Sequence, residues 1–188
     1  MNISGFMKED MVNSVDGICM SVWFSGCDIH CKGCHNQKYW EPKNIPEVTP
    51  AKLASAVKGE YEDGVEYGFR KSLSILGGEP LAPFNRKDLK QFLRELKAYT
   101  DHTYTDRPYI RLWTGRTKEQ LLEESKTDVN ICSILSMVDE IIVGPFIESL
   151  KKDLPLRGSS NQEILKKDED YFVEDAEANG TLKLIFKK

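Results

Sequence analysis

The chain has 188 residues, 40% of them hydrophobic and 30% charged, which suits one globular domain with a small appendage and is too short for two full-sized catalytic domains. Its 26 basic and 30 acidic residues leave a net charge of −4, a poor match for a phosphate backbone, so no direct nucleic-acid partner is expected. No apolar run approaches the roughly 18–20 residues that span a bilayer, and the start through Val12 mixes charges, so the expectation is a soluble cytoplasmic protein with no membrane partner.

In chain order, Ile18-Cys19-Met20-Ser21-Val22-Trp23-Phe24 is rich in β-formers and runs into Ser25-Gly26-Cys27, which predicts a strand and a sharp turn. A loop with three cysteines follows. Thr49-Pro50 predicts an N-cap and first helical residue, with Leu53 and Val57 behind them. Residues 72–76 predict a second strand, closed by Gly77-Gly78-Glu79-Pro80. Leu89, Phe92, Leu93 and Leu96 have the spacing of an amphipathic helix, with Asn85 as its expected N-cap, and His102 falls in a polar loop beyond it.

Residues 109–113 predict a third strand, ending at Thr114-Gly115, and Thr117 with Gln120 has capping-box spacing ahead of Leu121 and Leu122. Ile131, Ile134, Leu135 and Val138 repeat the helical period before a fourth strand, residues 140–143, that ends at Gly144-Pro145. Past Lys166 the character changes. Asn179-Gly180 lies between Tyr171-Phe172-Val173 and residues 182–186, which predicts an added hairpin or a loosely held tail and divides the chain into a domain of residues 1–166 and an appendage of residues 167–188.

Alternating strands and helices predict an α/β fold with parallel strands joined by helical crossovers. A closed eight-fold barrel takes roughly 250 residues, so four strands in this length predict a partial, open β/α barrel or an open sheet.

Of the five cysteines, Cys27, Cys31 and Cys34 fall within eight positions, whereas Cys19 and Cys132 stand apart in a strand and a helical pattern and read as buried thiols. An odd, clustered set points to metal rather than to a disulfide framework. The C-x3-C-x2-C spacing alone leaves two centres open: a structural zinc with His30 or His35 as fourth ligand, or an iron–sulfur cluster. No second cysteine or histidine pair exists to build a two-knuckle zinc module, and a domain of this size folds without a metal staple. Three thiolates on a four-iron cube leave one iron open for a ligand.

The cysteine loop, Gly77-Gly78-Glu79-Pro80 and the strand-end turns together resemble the radical S-adenosylmethionine superfamily. More narrowly, Gly26-Cys27 through Gly33-Cys34-His35-Asn36 with Trp40, then Trp113-Thr114-Gly115, Gly144-Pro145-Phe146 and Arg157-Gly158-Ser159-Ser160-Asn161-Gln162, are similar in order and spacing to the activating proteins of anaerobic ribonucleotide reductase, over residues 12–162. Val143 departs from the pattern, which commonly has aspartate before Gly-Pro.

The resemblance implies that Cys27, Cys31 and Cys34 carry the catalysis, each holding one iron of a 4Fe–4S cluster whose fourth iron binds the amino and carboxylate groups of S-adenosylmethionine. One electron, from a flavodoxin-like donor, would release a 5′-deoxyadenosyl radical that takes a hydrogen atom from a glycine in the large glycyl-radical subunit of anaerobic ribonucleoside-triphosphate reductase. Gly77 and Gly78 would let main chain approach the ligand, and Glu79 would accept from its ammonium group. Gly33 and His35 would lie near the adenine. Arg157 would bind a carboxylate or meet the reductase. Rival expectations are another small radical enzyme, an activase of a different glycyl-radical enzyme or one like the deazaguanine synthases, and a zinc-stabilised interaction module.

Overall fold

A computed structural model describes residues 1–103, 107–175 and 182–187. Four strands, β2 (Cys19–Phe24), β3 (Ser72–Gly77), β4 (Ile110–Trp113) and β5 (Glu140–Val143), lie side by side and parallel, as the alternation predicts. The helices α1 (Pro50–Glu66), α2 (Pro83–Thr103), α3 (Lys118–Ser125) and α4 (Val129–Leu135) make the crossovers. Two strands not anticipated flank this centre antiparallel: β1 (Ile3–Asp10) beside β2, and β8 (Glu163–Lys166) beside β5. The six-stranded sheet has the order β1-β2-β3-β4-β5-β8 and does not close, which makes the fold mixed α/β around a largely parallel open sheet.

The period of two along each strand sorts the faces. Met20, Val22, Phe24, Leu73, Ile75, Leu112, Ile141 and Val143 enter the hydrophobic core under the helices. Val143 is 2% exposed in that core. On the opposite face the register aligns Ser21, Ser74, Arg111 and Glu140 across four strands. All four are buried, and the end of β1 with the loop after it satisfies three of them. Ser21 Oγ donates to Asp10 at 2.5 Å, Ser74 Oγ donates to the Asn13 carbonyl at 2.7 Å, and Arg111 grips both Asp16 oxygens at 3.0 and 2.9 Å while also reaching Glu140 at 2.9 Å.

Thr49 caps α1 by accepting from Lys52 N–H, with Pro50 in the first turn, and Thr117 with Gln120 forms the expected capping box. Asn85 is not a cap. The second helix begins at Pro83, a position that loses no intrahelical bond to proline, and the Asn85 side chain turns away to bind the strand ends. His102, expected in a loop, lies in the last turn of α2.

Beyond β5, two short strands, β6 (Lys151–Leu154) and β7 (Arg157–Ser159), pair as a small hairpin. The predicted C-terminal hairpin is present as β9 (Tyr171–Asp175) and β10 (Leu182–Phe186), while its Asn179-Gly180 turn lies outside the described residues. Tyr171 and Leu184 are buried in the main core, and the Tyr171 hydroxyl donates toward the Leu135 and Val138 carbonyls. Among the described residues no helix is long and apolar enough to cross a membrane.

Candidate functional site

Parallel strands deliver their loops to one end, and there Cys27, Cys31, Cys34, His35, Glu79 and Thr114 line a cleft of about 680 Å³. The cysteine loop leaves β2 and is tied back on itself: Gly26 N–H donates to the Tyr39 carbonyl at 2.8 Å and Cys27 N–H to the Trp40 carbonyl at 2.9 Å. Gly78 N–H and Glu79 N–H then bind the Phe24 and Gly26 carbonyls, each at 2.8 Å, so the loops after β2 and β3 form one unit.

This is what the glycine pair is for. A Cβ on Gly77, whose φ is +124°, would sit 2.2 Å from the Phe24 carbonyl oxygen; one on Gly78 would sit 2.5 Å from that of Gly26 and 2.8 Å from that of Tyr39. The main chain that approaches closely in this structure is the protein's own, and both glycines also line the cleft.

Glu79 is likewise held by the protein. It is 1% exposed, and its carboxylate accepts from Leu81 N–H at 2.9 Å, Thr114 Oγ1 at 2.8 Å and Gly115 N–H at 2.8 Å, with Arg116 at 3.5 Å. Burial pushes this carboxyl above its ordinary range, opposed by Arg116 and the three hydrogen bonds. These bonds occupy most of the acceptor capacity of the carboxylate and fix the turn after β4 against the turn after β3.

Sequence reasoning missed the side chains that knit these loops. Arg116, 4% exposed, reaches Asp28 in the cysteine loop at 2.7 Å, Glu124 at 2.9 Å and Glu79. Asn85 Nδ2 donates to the carbonyls of Ser25 and Glu79 at 3.1 and 3.0 Å, and Asn2 donates to its Oδ1. Arg116 follows the Trp-Thr-Gly turn directly, a signal of position but not of partner.

All three thiols are free and half-buried. Burial raises the Cys27 thiol above its ordinary value, opposed by hydrogen bonds from the His30 and Ile29 main chain; burial also raises Cys31, opposed by a bond from the Phe146 main chain. Cys34 Sγ accepts from Asn36 N–H at 3.3 Å. Cys34 thus has a main-chain N–H on its sulfur, the kind of contact that stabilises a cluster-bound thiolate. Among the described residues, no three His, Cys, Asp or Glu side chains are placed to share one metal ion. Three free cysteine thiols on one cleft wall are the donor type that a multi-iron cube takes at three of its corners.

His35 and Asn36 line the cleft, whereas Gly33 does not. Gly33 has φ +74° and faces Glu148, whose carboxyl would lie 2.9 Å from an added Cβ. His30 packs on Trp40 with ring centroids 4.7 Å apart. Two N–H groups of lining residues, Trp40 Nε1 and Arg157 Nε, are buried with no hydrogen-bond partner.

Residues 15–165 match the family model described as a 4Fe-4S single cluster domain. An anaerobic ribonucleoside-triphosphate reductase-activating protein from Pasteurella multocida is 33% identical over 171 residues, covering 88% of this chain and 98% of that protein. Proteins of the same description are 30% identical in Vibrio cholerae, covering 87% of this chain and 97% of that one, and 29% identical in Enterobacteria phage T4, covering 87% and 93%. The chain belongs to this family of reductase-activating proteins. The matched span runs from the loop ahead of β2 to the end of β8, so it takes in all three cysteines and every cleft-lining residue except Val12 and Asn13.

Proposed function

We propose that this chain activates an anaerobic ribonucleoside-triphosphate reductase, using S-adenosylmethionine and a 4Fe–4S cluster held by Cys27, Cys31 and Cys34. When bound, the cluster supplies one electron that splits the sulfonium into methionine and a 5′-deoxyadenosyl radical, which takes a hydrogen atom from a reductase glycine. The observation that carries this reading is that three free thiols line one cleft beside the Gly77-Gly78-Glu79 turn. The family membership points the same way.

The chain's own residues do three things. Gly77 and Gly78 let the cysteine loop and the turn after β3 close into one rigid lip, with Glu79 and Arg116 fastening the turn after β4 to it. His35, beside Cys34 on the cleft lining, is the proposed contact to the adenosine part of the ligand. Gly33, packed on Glu148, serves that end only by admitting the tight loop. The open sheet is read as a partial β/α barrel of the radical S-adenosylmethionine type, whose unclosed side gives a reductase segment a way in. A flavodoxin-like protein is the proposed electron donor, and the cytoplasm the proposed location.

Protein prepared without oxygen should contain about four irons per chain and little zinc, with broad absorption near roughly 400 nm. With S-adenosylmethionine, a reductant and the reductase it should give a glycyl doublet in electron paramagnetic resonance, and Cys31→Ser should abolish that signal. Methionine release with no radical on the reductase would refute the assigned target. Stoichiometric zinc would refute the chemistry.

A further inference from the structure

We infer that Arg157 is a carboxylate receptor built into the cleft. The inference rests on the function proposed above and assigns a residue to it. Arginine stays ionised at any ordinary pH and offers only donors, so a guanidinium drawn out of water needs an acceptor. The other buried arginines obey this rule: Arg86 is paired with Glu124 and Asp128, Arg111 with Asp16 and Glu140, and Arg116 with Asp28 and Glu124. Arg157 does not. It is half-buried on the cleft wall, its Nε is shut off from solvent without a partner, and no hydrogen bond or ion pair to its side chain is found among the described residues. Asp153, the nearest acid in sequence on the same hairpin, also lines the cleft and is exposed without closing a bridge to it.

The arginine is presented on a fixed arm. Trp113 Nε1 donates to the Leu156 carbonyl at 2.8 Å. Gln162 Oε1 accepts from Gly158 N–H and Ser159 N–H at 2.8 and 3.2 Å, while its Nε2 donates to the Gly144 carbonyl at 3.0 Å. Gly158 packs against the Phe146 ring, and Phe146, Arg157 and Cys31 all line the same cleft. A positioned, unpaired guanidinium matches the two oxygens of a carboxylate, and the Trp40 indole N–H offers a further unpartnered donor in the same cleft.

Two carboxylates reach such a site: the amino-acid end of S-adenosylmethionine, and an acidic side chain or chain terminus of the reductase segment. The iron-loaded protein and its Arg157→Gln and Arg157→Lys variants would be titrated calorimetrically, without reductant, with S-adenosylmethionine and with its decarboxylated analogue. Binding of the reductase would be measured in parallel. Iron content and Tm equal to wild type would establish that the variants are folded and loaded.

If the ligand is the sulfonium compound, Arg157→Gln weakens S-adenosylmethionine on the order of ten- to a hundredfold, leaves the analogue unchanged, and Arg157→Lys recovers part of the loss. If the carboxylate is the reductase's, both small molecules bind equally well to all three proteins while the variants lose affinity for the reductase by a similar factor. Unchanged binding of small molecules and reductase alike overturns the inference while leaving the proposed function standing. Wild-type protein that binds none of these partners overturns the functional reading, and the receptor role with it.

Discussion

Replacing Glu79 by glutamine tests whether the lip of the cleft is held by an ionised carboxylate. The carboxylate accepts three hydrogen bonds from buried or half-buried donors and faces Arg116. An amide group at Oε2 would point N–H at the Gly115 N–H, and one at Oε1 would point N–H at the Leu81 N–H, so either rotamer orphans one main-chain donor and adds a second without an acceptor. Each such loss costs about 1–3 kcal/mol, and Arg116 keeps Asp28 and Glu124 as partners. A net loss of about 2–4 kcal/mol follows, which for a chain of this size lowers Tm by about 5–15 °C. Thermal unfolding followed by circular dichroism at neutral pH, on protein with and without iron, measures it. A Tm within about 2 °C of wild type would refute the reasoning, since it would mean that burial has left Glu79 neutral, with glutamine as its isostere.

Gly78→Ala forces a methyl group against the Gly26 and Tyr39 carbonyls, neither of which is a flexible side-chain end, and should cost about 1–3 kcal/mol with poorer iron loading, read by Tm and iron content. Arg111→Met removes the partner of the buried Glu140 and of Asp16, and a loss of about 3–5 kcal/mol is expected in urea titrations. Asp10 is raised by burial but lowered overall by hydrogen bonds from Ser21, Asn13 and two main-chain N–H groups. A carboxyl depressed in the folded state stabilises above its unfolded value and loses that contribution as pH falls through the folded one. Iron-free protein should therefore lose stability below about pH 4, and Ser21→Ala should make that loss shallower; an unchanged pH slope would show that Asp10 does not gain from the serine.

Short-range chemistry was legible along the chain. Strand segments rich in β-formers, each ended by glycine, marked β2 to β5 because apolar alternation and turn residues act within a few positions. Thr49-Pro50 and Thr117 with Gln120 marked two helix starts for the same reason. The cysteine spacing pointed to a metal centre, since three thiols within eight residues share one short loop, which here lines the cleft.

What tertiary structure decided is where long-range partners lie. The outer strands β1 and β8 carry no strong local pattern and exist because edges of a parallel centre offer free N–H and C=O groups to pair. Asn85 had the composition of a cap, yet it joins Ser25 to Glu79 from a position 60 residues beyond the first of them. The two glycines announced a close approach, and only the register of β2 against β3 named Phe24 and Gly26 as what approaches. Glu79 and Arg116 depend on the same register: local sequence gave their positions, while burial and the crossing of three loops gave their partners.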